Sequence, residues 1–420
     1  MPDDPTIRVS PQPATRIDGR EFSEICPAYL GRPHARLDPL REQGPFAWDE
    51  TQKQYFLVRH GAVRRVLQDR TLLRDRSRAG AGTAVAGTYD APPKDIVERR
   101  NGAQVLIFKD GEDHVRLRTL VGGAFLARVR EARPVVEAIV RDVVAALPAG
   151  GVAFDLVAQY AIPIPVRVIA TLLGLPQNDH TKVRAWSDDL ALGFNPYRTQ
   201  EEDGRRWQAI REMLVYFRGR LEVARATKTS DLISDWLSLK ERGADLSEAE
   251  IVDHCIMMLT AGNLSTTDLI SNATLAILRD GGLREKLLRD NGLVAAIIEE
   301  ALRVDPPVTT TDRIVARDGD VADCPFREGD VLTTSLLAAN HDPEVFADPH
   351  RFDVARPLRP HLAFGAGAHI CLGAPLARLE GQTAIRELFA RFRDLQLLDE
   401  SVQLRPVPGH RGPSQLMVRG

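Results

Sequence analysis

Phe364-Gly365-Ala366-Gly367-Ala368-His369-Ile370-Cys371-Leu372-Gly373 is the stretch on which the fold turns, and a helical run from Ala374 to Phe392 follows it. A cysteine just ahead of a helix faces the partial positive charge of unsatisfied backbone N–H groups. That charge favours thiolate and makes the sulfur a good soft-metal ligand. Gly365, Gly367 and Gly373 remove Cβ atoms on both sides of it, so backbone amides can approach the sulfur or a flat cofactor can lie against the chain. The alternative is an ordinary buried cysteine in a glycine-rich turn. Two other chemistries fail on spacing. A dinucleotide fingerprint wants a third glycine where Ile370 stands, and a framing strand with a downstream acid. Zinc would need further ligands close to His369 and Cys371, and no other cysteine or histidine pair lies nearby in sequence.

Around this loop the chain has the balance of a globular protein. Its 420 residues include 55 Lys plus Arg against 58 Asp plus Glu, for a net charge of −3, with 44% hydrophobic and 27% charged residues. This composition excludes collagen, coiled coil and disorder, and gives no reason to expect a nucleic-acid partner. The longest apolar run, Leu293 to Ile298, is far short of the roughly 18 residues a membrane span needs, so no membrane association is expected. The opening MPDDPTIRVS has none of the zones of a secretory signal, and the expected address is cytoplasmic. Cys26, Cys255, Cys324 and Cys371 are too scattered for a disulfide scaffold. Without repeats or linkers, residues 1–420 read as one domain, with a partly irregular, proline-rich 1–30 and a mobile loop at Arg78 to Asp90. Helical periodicity dominates from Asp110 onward, as in Val135, Val136, Ile139, Val143 and Val144, and strand signals appear at Tyr55 to Val58 and Val331 to Thr334. The expected class is mainly α with small β-sheets.

Ser247 and Glu250 form an S-x-x-E capping box, after which a helical pattern runs to Asp280, where Gly281-Gly282 stops it. About 32 residues of helix span roughly 48 Å, enough to cross the molecule. Its middle, Ala261-Gly262-Asn263-Leu264-Ser265-Thr266-Thr267-Asp268, is polar and poor in helix formers. Either a buried helix serves a site there, or a surface helix has hydroxyls bonded back to their own carbonyls.

These features together resemble a known family. F-G-x-G-x-H-x-C-x-G over Phe364–Gly373 is similar to the haem-binding signature of the cytochrome P450 superfamily, whose cysteine thiolate is the proximal ligand of haem iron. Glu300-Ala301-Leu302-Arg303 reproduces the family's E-x-x-R pair, and His341 to Phe352 resembles the meander that precedes the cysteine loop. His114-x-x-x-Arg118 stands where soluble bacterial members carry a haem-propionate histidine and arginine, and Ile162 to Pro176 matches their next landmark. The resemblance covers about Asp110 to Glu380. It implies a triangular helical domain with a long central helix over haem b and Cys371 as metal ligand. Phe364, Gly365 and Gly373 would line the cofactor, with His114, Arg118, Arg313 and His369 near its propionates. Taken alone, Glu300 and Arg303 are i, i+3 neighbours that would form a weak surface pair; the resemblance makes them a buried structural pair. His114 and Arg118, at i, i+4, can reach one anion or simply face water.

The activity implied by the resemblance is insertion of one oxygen atom from O2 into a C–H bond of a small, largely apolar organic substrate. Electrons would come from NAD(P)H through a separate ferredoxin and ferredoxin reductase, with His369, Arg378 and Arg116 as a docking patch, and the protein is expected to be a monomer. Ala261, Leu264 and Val308 would line the substrate pocket, and Ser265, Thr266 and Asn263 would act in oxygen activation. Here the chain departs from the family: where most members have an acid before the central-helix threonine, it has Leu264, followed by Ser265. Leu264 cannot relay protons, so Asn263, water, Asp268 or a substrate group would have to. A peroxide-driven oxygenase is the alternative, and a non-catalytic haem-thiolate domain that recruits a partner is a further one.

Overall fold

The computed structural model describes residues 15–85, 92–100, 105–148, 150–195, 198–321, 324–357 and 360–420. Residues 1–14 of the expected irregular segment and 86–90 of the expected loop at Arg78 to Asp90 lie outside the described residues. The helices that position the site are α1 (His34–Gln43), α2 (Gly111–Glu131), α3 (His180–Ala191), α4 (Glu248–Arg279), α5 (Val294–Val304) and α6 (Ala374–Arg391). Helix α4 packs against α3, α5, α6 and the helix Pro163–Leu172, and most of its length is buried. Its start is the capping box read from sequence: Glu250 N–H donates to Ser247 Oγ at 3.2 Å, and Ser247 N–H donates to Glu250 Oε2 at 2.8 Å. Its end differs from the expectation. Asp280, not the glycine pair, breaks the helix by accepting Leu283 N–H at 3.0 Å, and Gly281 already opens the next helix, Gly281–Arg289.

Apolar stripes drive this packing. Val136, Ile139, Val140, Val143 and Val144 are buried on helix Arg133–Ala146, at the spacing that puts one face against the core. The main sheet takes in the expected strands and runs β1 (Arg16–Ile17), β2 (Phe46–Asp49), β3 (Gln54–Leu57), β6 (Val331–Ser335), β5 (Thr310–Val315), β4 (Leu72–Leu73) in spatial order. Leu332 faces Tyr55 across the parallel β3 pairing and Arg313 across the antiparallel β5 pairing. Among the described residues no helix is long and apolar enough to cross a membrane.

The polar residues of α4 include a proton-sensitive fastening. His254 Nδ1 donates to Glu250 O at 2.6 Å, while Nε2 accepts Leu106 N–H at 3.2 Å, which requires the neutral ring. Burial pushes the His254 pKa below the ordinary histidine value. The unfolded chain therefore takes up this proton first, and stability falls as pH drops below about 6.5. The melting temperature should fall between about pH 7.5 and pH 5.5, and His254→Asn should flatten that slope. Equal slopes in both proteins would refute the assignment.

Candidate active site

The Cys371 loop is shaped by backbone contacts. Cys371 N–H donates to Phe364 O at 2.9 Å, and Gly365 and Gly367 have φ of 69° and 73°. Gly367 is required twice over, because a Cβ there would lie 2.4 Å from Leu67 O, at the end of the helix His60–Gln68. Gly373 then caps α6. The loop borders a cavity of about 520 Å³ that Cys371, Phe364, Gly365 and Gly373 line from one segment. Ala261, Ser265 and Thr266 of α4, and Val308 ahead of β5, line it from two others. His114, Arg118, Arg313 and His369 complete the set brought together from distant parts of the chain.

Cys371 is exposed where it opens into this cavity, with protein packed around its sulfur on the other sides. Burial pushes its thiol pKa up, against the pull of the Gly373 and Ala374 N–H groups and Arg118. The expectation that the helix N-terminus alone favours thiolate is thus corrected: loss of hydration outweighs the local dipole. A thiolate here needs a metal cation, which deprotonates a coordinating thiol outright.

The cationic side of the cavity is short of anions. His114 Nε2 is buried without a hydrogen-bond partner, and burial, with His369 and Arg118 nearby, pushes the His114 pKa down to about 4. Arg118 has no ion-pair partner among the described residues. Arg313, 3% exposed, donates among the described residues only to the Asp312 carbonyl at 2.7 Å and is pushed to about 10 by burial and by Arg74. Such a set suits a ligand carrying carboxylates, as haem b does with two, and the glycine-lined wall beside the sulfur suits a flat ring. Sequence reasoning missed Arg74 and Arg76, which also border the cavity and both bind the Asp312 carboxylate. Burial works against ionisation of Asp312, yet Arg74, Arg76 and Arg313 hold it at about 2. It also missed Asp110, whose Oδ1 lies 3.4 Å from His369 Nε2 while Oδ2 accepts the N–H groups of Arg74 and Asp75. His369 therefore has a carboxylate partner within the protein.

Helix α4 turns Ala261, Gly262, Ser265, Thr266 and Leu269 toward the cavity. At about 100° per residue, positions 263 and 264 fall off that face. Two expectations are corrected on this ground. Leu264 does not line the pocket, and Asn263 points at α3, where Nδ2 donates to Ser187 Oγ at 2.7 Å. Asp268 is no proton source either, being buried and bound to Arg405. The back-bonding read as the mark of a surface helix occurs within this buried one: Ser265 Oγ donates to Ala261 O at 2.8 Å, and Thr260, Ser271 and Thr274 do likewise four residues back.

Glu300 and Arg303 stand outside the cavity, with side chains 6% and 2% exposed. Arg303 donates to both Glu300 oxygens at 2.9 and 2.7 Å, and to the carbonyls of Asn340, Pro349 and Arg351 at 3.0, 2.7 and 3.0 Å. The expected docking cations are engaged: Arg378 binds Glu299 at 2.6 Å, Arg116 binds Glu250 at 2.7 Å, and His369 lines the cavity.

This architecture has many relatives. The family profile of Cytochrome P450 matches residues 192–406. The chain is 34% identical to the cyclomarin C epoxidase CymV of Salinispora arenicola, over 92% of this chain and 95% of that protein. The chain belongs to the cytochrome P450 family. It is also 32% identical to the 6-deoxyerythronolide B hydroxylase of Saccharopolyspora erythraea, covering 87% and 88% of the two chains. The crystal structure of P450BioI in complex with hexadec-9Z-enoic acid ligated acyl carrier protein superposes with a TM-score of 0.84 at 29% identity, covering 94% of this chain and 99% of that one. The P450 is a haem-thiolate monooxygenase with haem b as cofactor, and its electrons come from NAD(P)H through redox partners.

Proposed function

We propose that this P450, a single haem domain over residues 1–420, inserts one oxygen atom from O2 into a C–H bond of a small, largely apolar substrate. A ferredoxin and its reductase deliver the electrons, and the protein works as a cytoplasmic monomer. The observation that carries this is the single cavity bordered at once by Cys371, by the hydrogen-bond donors His114, Arg118 and Arg313, and by the Ser265–Thr266 face of α4. In this reading Cys371 ligates the iron, and the N–H groups of Gly373 and Ala374 temper the charge of its sulfur. Bound haem supplies the dioxygen chemistry. Ala261 and Val308 hold substrate against it. Reconstitution with ferredoxin, reductase and NAD(P)H should place isotopically labelled oxygen from O2 in the product; label arriving from water instead would refute the reading.

His114, Arg118 and Arg313 would each hold a propionate through a charge-assisted hydrogen bond of about 1.5–3 kcal/mol. Alanine at any of them should weaken haem retention by about ten- to hundredfold in transfer to apomyoglobin. Unchanged transfer in all three would sink the assignment.

Proton delivery falls to Ser265 and Thr266, since no carboxylate faces the cavity from α4. The Ser265 hydroxyl spends its proton on Ala261 O, so it accepts from a cavity water unless it swings away. A hydroxyl that orders water should matter less than a direct acid, whose removal costs about 100-fold or more. Ser265→Ala should therefore lower product per NAD(P)H by about tenfold or less. Full coupling in that variant would remove Ser265 from oxygen activation. The same missing acid favours a second reading, a peroxide-driven oxygenase. It would turn over with hydrogen peroxide as fast as with ferredoxin.

A further inference from the structure

His34 opens α1, His341 follows Asn340 just beyond β6, and His350 lies nine residues further on, yet their rings meet at one spot. Ring centroids are 3.9 Å apart for His34 and His341, 4.8 Å for His34 and His350, and 5.3 Å for His341 and His350. One nitrogen of each lies within 4.8 Å of the others. Three imidazoles crowded together would repel one another on protonation. Burial first, and then His350, pushes the His34 pKa down to about 4, and burial pushes that of His341 well down.

We infer that His34, His341 and His350, with Asp38 supplying a carboxylate, form a zinc site that fastens helix α1 to the segment Arg303 holds. His341 Nδ1 donates to Leu337 O at 3.0 Å, which leaves Nε2 with its lone pair free, the second-shell arrangement of metal-bound imidazoles. His34 Nδ1 is buried and has no hydrogen-bond partner. Asp38 Oδ2 lies 2.9 Å from His350 Nε2, and Oδ1 lies 3.9 Å from His34 Nδ1. Tetrahedral zinc at about 2.0–2.1 Å from each nitrogen brings ligand atoms to about 3.3 Å of one another, so the rings must close by an ångström or so. His350, with a side chain 51% exposed, and His34, at the first turn of α1, have the freedom to do this, while buried His341 stays fixed. Three imidazoles and a carboxylate suit zinc among the abundant divalent ions, whereas magnesium and calcium want oxygen ligands.

The site stands apart from the residues that line the cavity and would act on the support of the cysteine loop. Asn340 precedes His341, and Pro349 and Arg351 flank His350; Arg303 binds the carbonyls of all three. Zinc would brace from outside the segment that the guanidinium braces from within.

The test uses haem-loaded, tag-free protein, stripped with EDTA and then dialysed against micromolar zinc chloride. Elemental analysis should find about one zinc retained per chain, with a melting temperature several degrees above that of the stripped protein. His34→Gln and His350→Gln, at positions where the fold has room, should lose both the zinc and the shift while keeping haem content and the carbon-monoxide spectrum. Failure of wild-type protein to retain zinc, or equal retention in both variants, would overturn the inference. Neither result bears on haem ligation, which the unchanged spectrum reads separately.

Discussion

Cys371→Ala protein should purify without haem, and after reduction under carbon monoxide it should lack the red-shifted thiolate Soret band. The expected loss is complete, because the other described cysteines stand away from the cavity. Cys255 is buried in α4, where burial pushes its thiol pKa well up, and Cys26 caps a short helix. Among the described cysteines, Cys371 alone combines a cavity-facing sulfur with backbone N–H groups aimed at it. Replacements of Cys26, Cys255 and Cys324 should leave the band in place. Retention of the band in Cys371→Ala, with its loss in one of those three, would move the ligand elsewhere.

The second large effect concerns Arg303. Removing it leaves Glu300 Oε2 without its donor, leaves Oε1 to Asp353 N–H at 2.9 Å and Arg356 Nε at 3.1 Å, and frees three carbonyls at once. Breaking a buried pair on one side costs about 3–5 kcal/mol, a large share of the roughly 5–15 kcal/mol that holds a domain folded. Arg303→Ala and Glu300→Ala should accumulate as insoluble or haem-free chains. Arg303→Lys keeps the charge but not the five-donor fork, and should fall between them and the native protein. Soluble, fully haem-loaded Arg303→Ala with an unchanged melting temperature would show that the network contributes little.

How far the sequence carried depends on whether each feature is local. The extent of α4 was legible because its start is written in a four-residue capping box and its body in an apolar period. The cysteine loop and Glu300–Arg303 were legible from spacing. What escaped depends on which segments meet. Arg74 reaches Asp312 across 238 residues, and Asp110 reaches back to Arg74 across 36, and no periodicity predicts either. Asn263 and Leu264 were misplaced for a related reason: a helical pattern says which residues share a face, but not which face looks into the site. The Cys371 thiol was misjudged because the helix dipole is a local effect and burial is not.

Helix α4 also works as a protractor. It runs from Ser247 to Asp280 with a side-chain cap at its start and another helix beginning at its end, so its rotational phase is locked over its whole length. One residue inserted between the first turn and Ala261 would turn everything beyond it by about 100°. Leu264 would then occupy the angular place of Ser265 and every later residue would shift with it, a change no point substitution makes. The reactivity of this cavity is thus specified by a residue count as much as by residue identity, and relatives that differ in length within this helix should differ in chemistry.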